Sequence, residues 1–277
     1  MNSHIGSYFD DLMAEDGNRE EVTVAAIFTG DSRRHRRLQR AVLALYRHAF
    51  GRCTRVLFQN PDDRDEFVAR RVVDGEKCAL VNGSGVDLDV FRLTPLPAGG
   101  GTIFLLIARL LGDKGIREYA QAAALVRRSY PEARFWLVGP GDPSPDAISE
   151  TEVKGWEQSG AIEYFGEAAD VLPFLEKGAV YVLPSYREGT PRTVLEAMAV
   201  GRPVITTDAP GCRETVADGD NGYLVPVRNV EALAEAMCRF LDNPELIKQM
   251  GRRSREIAEE RFDVHKVNKQ MLAAMGL

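Results

Sequence analysis

The chain has 277 residues, of which 44% are hydrophobic and 27% are charged, and this is typical of a globular protein with a sizeable core. Its formal net charge of -6 gives no general attraction to polyanions, so we expect no nucleic-acid partner. The four cysteines form no CxxC pair, and no apolar run approaches the roughly 20 residues of a membrane span. We therefore expect a cytoplasmic protein with reduced thiols.

The first predicted elements are three short strands and one basic helix. The strands are "VTVAAIF", "RVLFQ" and "CALVN", and a long amphipathic helix is predicted from Arg33 to Phe50, after the first strand. Eight arginines and a single acidic residue lie between Asp31 and Arg55. Two interpretations stay open: a core-packed helix with a solvated basic face, or a peripheral contact with anionic lipid or a phosphate-bearing acceptor.

A predicted linker separates these elements from a regular alternation of strands and helices. The linker is "RLTPLPAGGG", from Arg92 to Gly101, and it predicts a domain boundary between Val86 and Gly101. After it we predict the strands "TIFLLIA", "ARFWLVG", "AIEYFG", "AVYVLPS" and "RPVITT". Between and after them we predict helices over residues 116–129, 147–158, 169–177, 191–200, 231–241 and 245–260. This pattern predicts an α/β protein with a Rossmann-like, doubly wound parallel sheet.

Two carboxylates flank the start of the helix predicted after the strand "AVYVLPS". Thr190 is expected to cap this helix, with Pro191 in its first turn and Gly201 at its end. Glu188 then lies just before the helix, and Glu196 lies roughly 12 Å further along it. The helix N-terminus could seat a diphosphate while each carboxylate accepts hydrogen bonds from hydroxyls of a ligand. The alternative is that Glu188 is a solvated loop residue and Glu196 an incidental polar position.

Two cations follow the first strand after the linker, in the segment "IARLLGDKG". Arg109 and Lys114 are predicted to lie at the carboxyl end of that strand, which is where open α/β sheets bind ligands. A lysine in the first turn of a helix opposes the helix dipole, so Lys114 is better explained by a bound anion. Either residue alone would more often be a solvated surface cation, whereas the two together suit a pyrophosphate.

No metal site is predicted. The segment "DGDNG", from Asp218 to Gly222, could be taken for a metal-binding DxD, but the remaining ligands are absent and a turn is the better interpretation. The histidines are scattered without ligand spacing, and none has a recognisable Ser or Cys partner, which argues against zinc and triad chemistry. They are His4, His35, His48 and His265.

Three segments together resemble the retaining glycosyltransferases of family 4, which have the GT-B fold. They are "SYREGTPRTVLEAMAVGRPVITTDAPGCRETV", "ARLLGDKG" and "FQNPDDRDEF…GSGVDLDVF". The resemblance implies that Glu188 contacts hydroxyls of the donor sugar and that Glu196 holds the ribose diol. It implies that Arg109 and Lys114 neutralise the departing diphosphate, with backbone N–H groups of Gly189 and Thr190 assisting. No cofactor is implied beyond the nucleotide-sugar donor, and no metal.

The segment "TTDAPGCRETV" is similar to that of family members that extend undecaprenyl-diphosphate-linked saccharides during bacterial surface-polysaccharide or glycoprotein assembly. The resemblance implies transfer of a hexosyl or N-acetylhexosaminyl group, often from a UDP-sugar, to a saccharide or lipid-linked saccharide. It also favours the lipid-facing interpretation of the basic helix.

A GT-B enzyme has two Rossmann-like halves, and this chain is expected to hold only the tail of the first. We expect a partial N-terminal domain over residues 1–90, a donor-binding domain over residues 91–261, and a segment over residues 262–277 that crosses back to the first half. The glycine-rich loop and the histidine that the family places near the reacting centre belong to the absent part. A non-catalytic sugar-nucleotide-binding module or partner subunit is therefore the alternative, and a sugar-nucleotide epimerase is a third and weaker one.

Overall fold

The computed structural model describes residues 33–97, 99 and 101–277, with side chains from residue 42 onward. The predicted strand "VTVAAIF" lies outside the described residues. Contacts along the chain divide it into two compact units, Met1–Tyr46 and Arg47–Leu277. Among the described residues, the first unit contributes the beginning of helix α1 (Arg33–Arg52). The described helices include none with both the length and the apolar character needed to cross a membrane.

The second unit begins with a small parallel sheet of two strands. Strand β1 (Val56–Phe58) pairs in parallel with β2 (Cys78–Leu80), and helix α2 (Pro61–Ala69) lies between them in sequence. Both strands were predicted, whereas α2 was not. Asn60 starts this helix by accepting a hydrogen bond from the N–H of Asp63, and Pro61 occupies its first turn. A 3₁₀ turn, Gly75–Lys77, precedes β2.

The predicted doubly wound sheet is confirmed. It has six parallel strands in the order β5-β4-β3-β6-β7-β8. The five predicted strands are β3 (Ile103–Ile107), β4 (Arg134–Val138), β5 (Glu163–Tyr164), β6 (Val180–Leu183) and β7 (Val204–Thr207). The strand β8 (Gly222–Val225) was not predicted.

Helices cover both faces of this sheet because alternate residues of a strand point to opposite sides. Phe104 and Leu106 of β3 pack in one core cluster, and Ile103, Leu105 and Ile107 pack in another. The first cluster includes residues of α3 (Ile116–Val126), α4 (Glu150–Gln158), α7 (Val230–Asp242) and α8 (Glu245–Ile257). The second includes residues of α5 (Leu172–Lys177) and α6 (Arg192–Ala199).

The start of α6 differs from the sequence prediction. Pro191 is the N-cap residue, and no side chain caps the helix, so Thr190 does not have the predicted capping role. The Thr190 hydroxyl instead donates to the backbone carbonyl of Gln59 at 3.4 Å, which turns it away from the N–H groups of the helix. The predicted end is correct, since Gly201 follows the helix with a φ of +81°, a conformation that favours glycine.

The chain after α8 returns to the residues that precede the linker. A π-helical turn, Ala258–Phe262, leads into helix α9 (Val264–Met275). The N–H of Val86 donates to the carbonyl of Phe262 at 2.7 Å, and the N–H of Val264 donates to the carbonyl of Val86 at 3.0 Å. The division into residues 1–90, 91–261 and 262–277 stays a prediction.

Candidate functional site

Three loops meet at the carboxyl edge of the six-stranded sheet, after β3, β6 and β7. The N–H of Tyr186, after β6, donates to the carbonyl of Asp113 at 2.8 Å, and the N–H of Glu188 donates to the carbonyl of Pro210 at 2.9 Å. A Cβ on Gly211 would lie 2.1 Å from the carbonyl oxygen of Glu188, so the close approach of these loops requires a glycine. The edge of the sheet thus carries a packed cluster of loops.

Lys114 and Glu188 form an ion pair at the centre of this cluster. Their Nζ and Oε1 atoms lie 2.7 Å apart, and the two side chains are only 14% and 16% exposed. Lys114 lies in a 3₁₀ turn (Gly112–Lys114) immediately before α3, as the sequence predicted. Burial raises the pKa of the neighbouring Cys212 thiol to about 12, with the Glu188 carboxylate adding to this effect. Because the side chains of Lys114 and Glu188 are mostly shielded from solvent, the pair interacts more strongly than an exposed one would.

The Asp113 carboxyl interacts electrostatically with Lys114, Glu188 and Arg109. Burial raises the pKa of the Asp113 carboxyl, Glu188 raises it further, and the charges of Lys114 and Arg109 lower it. Arg109 itself is half exposed and donates to Asp142 at 3.1 Å. Lys114 therefore pairs with Glu188, and the charge of Arg109 also acts on the adjacent Asp113, an acidic residue that sequence reasoning did not single out.

Glu196 lies in the second turn of α6 and is 6% exposed. Burial raises the pKa of its carboxyl, while Arg192, one turn earlier, opposes this with an ion pair of 3.2 Å. Burial also raises the pKa of Tyr181, and the charges of Glu196 and Glu188 both contribute. The two predicted carboxylates thus act on the same tyrosine hydroxyl, which bonds to Thr193 of α6 at 2.6 Å.

The backbone of Gly189 and Thr190 is engaged by residues that the sequence analysis did not select. The N–H of Thr190 donates to the side-chain oxygen of Gln59 at 2.8 Å. The carboxamide of Asn60 donates to the carbonyl of Gly189 at 3.2 Å. One signal was available, since an asparagine before a proline at the end of a predicted strand is a helix start.

The two remaining candidate segments have ordinary structural partners where they are described. Asp218 accepts from the N–H of Leu224 at 2.9 Å, and Asp220 pairs with Arg253 at 2.8 Å, so "DGDNG" forms the predicted turn. In α1, the arginine side chains before residue 42 lie outside the described residues. Arg47 donates to the carbonyls of Arg70 and Arg71 at 3.0 and 3.1 Å.

Comparison with known proteins assigns the family. The family model described as "Glycosyl transferases group 1" matches residues 101–243, which is just over half of the chain. The chain belongs to this family. The match begins before β3 and ends after α7, so it includes the three loops at the carboxyl edge of the sheet.

Similar proteins carry glycosyltransferase names. An N,N'-diacetylbacillosaminyl-diphospho-undecaprenol alpha-1,3-N-acetylgalactosaminyltransferase of Campylobacter jejuni is 28% identical over 73% of this chain and 55% of its own length. An alpha-D-kanosaminyltransferase of Streptomyces kanamyceticus is 26% identical over 81% of this chain and 61% of its own length. The chain therefore spans between half and two thirds of these relatives.

Solved structures share the fold. HepE of Anabaena in complex with UDP has a TM-score of 0.75 at 20% identity, covering 89% of this chain and 68% of its own. Sucrose-phosphate synthase of Thermosynechococcus elongatus has a TM-score of 0.74 at 24% identity, covering 90% and 64%. These structural matches agree with the GT-B fold that the sequence resemblance implied.

Proposed function

We propose that this chain is the donor-binding part of a retaining glycosyltransferase that uses a UDP-sugar. The observation that carries the proposal is the partly buried ion pair of Lys114 and Glu188 at the carboxyl edge of the sheet, with the charge of Arg109 acting on the adjacent Asp113, in a group 1 glycosyltransferase chain. The choice of UDP is supported by the similar structure of HepE, which is a complex with UDP.

Each site residue has a role in this proposal. Lys114 and Arg109 balance the charge of the diphosphate as it departs, and the N-terminus of α6 adds N–H groups of Gly189 and Thr190. Glu188 accepts hydrogen bonds from the sugar hydroxyls, and Glu196 accepts them from the ribose diol. These cations and N–H groups perform the charge stabilisation that a metal ion provides elsewhere, so the proposed reaction is metal-independent.

The reaction transfers a hexosyl or N-acetylhexosaminyl group to a saccharide or lipid-linked saccharide. The bond from the sugar C1 to the diphosphate oxygen breaks, and its electron pair leaves with UDP. A bond from the acceptor hydroxyl oxygen to C1 forms on the same face, and the hydroxyl proton passes to the departing phosphate. A lipid-linked acceptor is supported by the undecaprenol in the name of the C. jejuni relative. Action in the cytoplasm, with the basic helix α1 near the membrane surface, completes the proposal.

Calorimetric titration with UDP, GDP and ADP, and then with sugar forms of the nucleotide that binds, tests the donor site. We expect selective UDP binding that weakens roughly tenfold or more in Arg109→Ala, because one charge-assisted contact to the diphosphate is lost. Glu188→Ala should abolish transfer, and Glu196→Ala should mainly weaken nucleotide binding. Normal turnover in both glutamate variants, or equal binding of all three nucleotides, would contradict the proposal.

A further inference from the structure

Asn60 connects helix α2 to the loop that carries Glu188. Its side chain is 1% exposed and uses both ends of its carboxamide. The oxygen caps α2 by accepting from the N–H of Asp63 at 2.8 Å. The nitrogen donates to the Asp63 carboxylate at 2.9 Å, and to the backbone carbonyls of Gly189 at 3.2 Å and Glu188 at 3.4 Å.

The loop is held at each neighbouring position by the same short segment. Arg187 forms ion pairs with Asp63 and, at 3.0 Å, with Glu66, while the N–H of Thr190 donates to Gln59. From the other side, Gly211 lies so close that a Cβ there would be 2.1 and 2.3 Å from the carbonyl oxygens of Glu188 and Gly189. These are the two carbonyls that Asn60 contacts.

Each carbonyl lies in the peptide plane that follows its residue, so these contacts restrain the two peptide planes on either side of the Gly189 Cα. The first of these planes is bonded to the Cα of Glu188, and it therefore restrains the direction of the Glu188 side chain. The side chain of Glu188 pairs with Lys114, whose own long side chain has several rotatable bonds. A displacement of about 1 Å at a reacting group can cost two orders of magnitude in rate. The position of the Glu188 carboxylate therefore depends on the residues that hold its backbone.

We propose that Asn60 is a positioning residue for the donor sugar, because its buried carboxamide sets the backbone that aims Glu188. The inference rests on the proposed function and deepens it. It states that recognition of the sugar, as distinct from the nucleotide, depends on the contact between Asn60 at the start of α2 and the loop after β6. Binding of the ribose depends on Glu196 in the proposed function. Glu196 lies within α6 and pairs with Arg192, and the contacts of Asn60 described above do not include it.

The test is the variant Asn60→Asp, measured by calorimetry with UDP and with UDP-glucose, UDP-N-acetylglucosamine and UDP-N-acetylgalactosamine. Aspartate keeps the capping oxygen but cannot donate to the two carbonyls. We expect the ratio of the UDP dissociation constant to that of the best UDP-sugar to fall about tenfold. UDP binding itself should weaken by a smaller factor, because the N–H of Thr190 shares a peptide plane with the Gly189 carbonyl that Asn60 holds. The donor kcat/KM should fall at least in proportion.

The matched control is Asn229→Asp, since Asn229 caps α7 in the same way by accepting from the N–H of Ala232 at 2.9 Å. It should leave both dissociation constants unchanged. Asn60→Ser supplies a second test without added charge, because serine caps a helix but is too short to reach the loop. If either folded Asn60 variant keeps the full ratio, the inference is wrong. If wild-type chain binds neither UDP nor a UDP-sugar, the proposed function fails, and the inference fails with it.

Discussion

Glu196 shows how the chain maintains a carboxylate in an apolar helix. Its neighbours in α6 are buried aliphatic side chains, and burial raises the pKa of its carboxyl. Arg192 stands one turn away and is 69% exposed, so solvent weakens the compensation that it provides. The charged form is therefore under-stabilised in the unliganded chain. Two hydroxyls of a ribose could donate hydrogen bonds to the charged form, which is compatible with the proposed role of Glu196 at that end of the donor.

Gln59 is expected to compete with the donor for a backbone N–H. Its side-chain oxygen lies 2.8 Å from the N of Thr190, one of the groups proposed to bind the diphosphate. Replacing Gln59 with alanine removes this competitor, so we expect Gln59→Ala to bind UDP about three- to tenfold more tightly, which corresponds to one neutral hydrogen bond. Calorimetric titration measures the change.

Gln59→Glu is the counterpart of this variant. A carboxylate at the same place keeps the acceptor and adds repulsion to a diphosphate, so UDP binding should weaken below that of the wild-type chain. Weaker binding in Gln59→Ala would show instead that the carboxamide turns and contacts the ligand itself.

Local sequence context identified the charged residues of the site but not their partners. Arg109, Lys114 and Glu188 each follow a predicted strand, and parallel strands end at one edge of a sheet. Lys114 and Glu188 are 74 residues apart, and their contact depends on β3 and β6 being neighbours in the sheet. The contacts of Gln59 and Asn60 with the loop span about 130 residues. Such contacts follow from packing, which leaves no local pattern.

At the scale of elements, the N-terminal cap of α4 stabilises the fold to an extent that depends on pH. Ser149 and Glu152 form a reciprocal capping box, and Glu152 also pairs with Arg117 at 2.7 Å. Arg117, followed by the N–H of Ser149, lowers the pKa of Glu152 to about 2. A carboxyl whose folded pKa lies below its unfolded value stabilises the fold above the unfolded pKa, and loses that contribution as the pH falls through the folded pKa.

We therefore expect the wild-type chain to lose stability between about pH 4.5 and pH 2 through Glu152, and Glu152→Gln to show a flatter profile across that window. Glutamine keeps the capping box but carries no charge, so the difference isolates the ionic contribution. Urea unfolding at a series of pH values measures it.

Ser149→Ala serves as the comparison, because it should lower the free energy of unfolding by about 1 kcal/mol with little change in the pH profile. Parallel pH profiles for the wild-type chain and Glu152→Gln would contradict this account.

The sequence analysis missed strand β8 and helix α2 for the same reason, because neither has a strong local sequence pattern. Strand β8 has four residues, begins with a glycine and follows the turn "DGDNG", so neither length nor β-branched residues mark it. Helix α2 has nine residues and an acidic, weakly amphipathic sequence. Both are stabilised by what they pack against: β8 extends the sheet beside β7, and α2 holds the loop after β6 through Asn60 and Asp63.

At the scale of the whole molecule, alternating strands and helices were enough to predict a doubly wound sheet, but not its strand order. The fifth strand lies at one edge and the third lies beside the sixth, an arrangement that depends on crossover connections and not on local sequence. The linker was predicted from its prolines and glycines alone. How the linker is fastened to the sheet domain could not be predicted, because its anchor, Arg202, is read from sequence as an ordinary surface cation.

Arg202 joins the linker to the sheet domain from inside the core. It is 1% exposed, and burial lowers the pKa of its guanidinium to about 10, so it stays charged at neutral pH. It donates to Thr94 and to the carbonyl of Pro95 on the linker, at distances between 2.9 and 3.1 Å. Its other partners are the carbonyls of Leu175, Glu176, Gly178 and Val200. Three of these lie at the end of α5, where carbonyls lack helical partners and a cation is favoured.

Arg202→Met should therefore destabilise the whole unit and release the linker. The methionine fills much of the volume but leaves these carbonyls buried without donors, so we expect the free energy of unfolding to fall by about 3 kcal/mol or more. Arg252→Met is the control, since Arg252 is 84% exposed and forms a surface ion pair with Glu256, and its effect should stay within about 0.5 kcal/mol. Urea unfolding measures both variants.

Limited proteolysis between residues 92 and 101 should accelerate in Arg202→Met alone, because a linker whose anchor is lost opens more often. Equal cleavage rates with reduced global stability would mean that Arg202 supports α5 and α6 but does not fasten the linker.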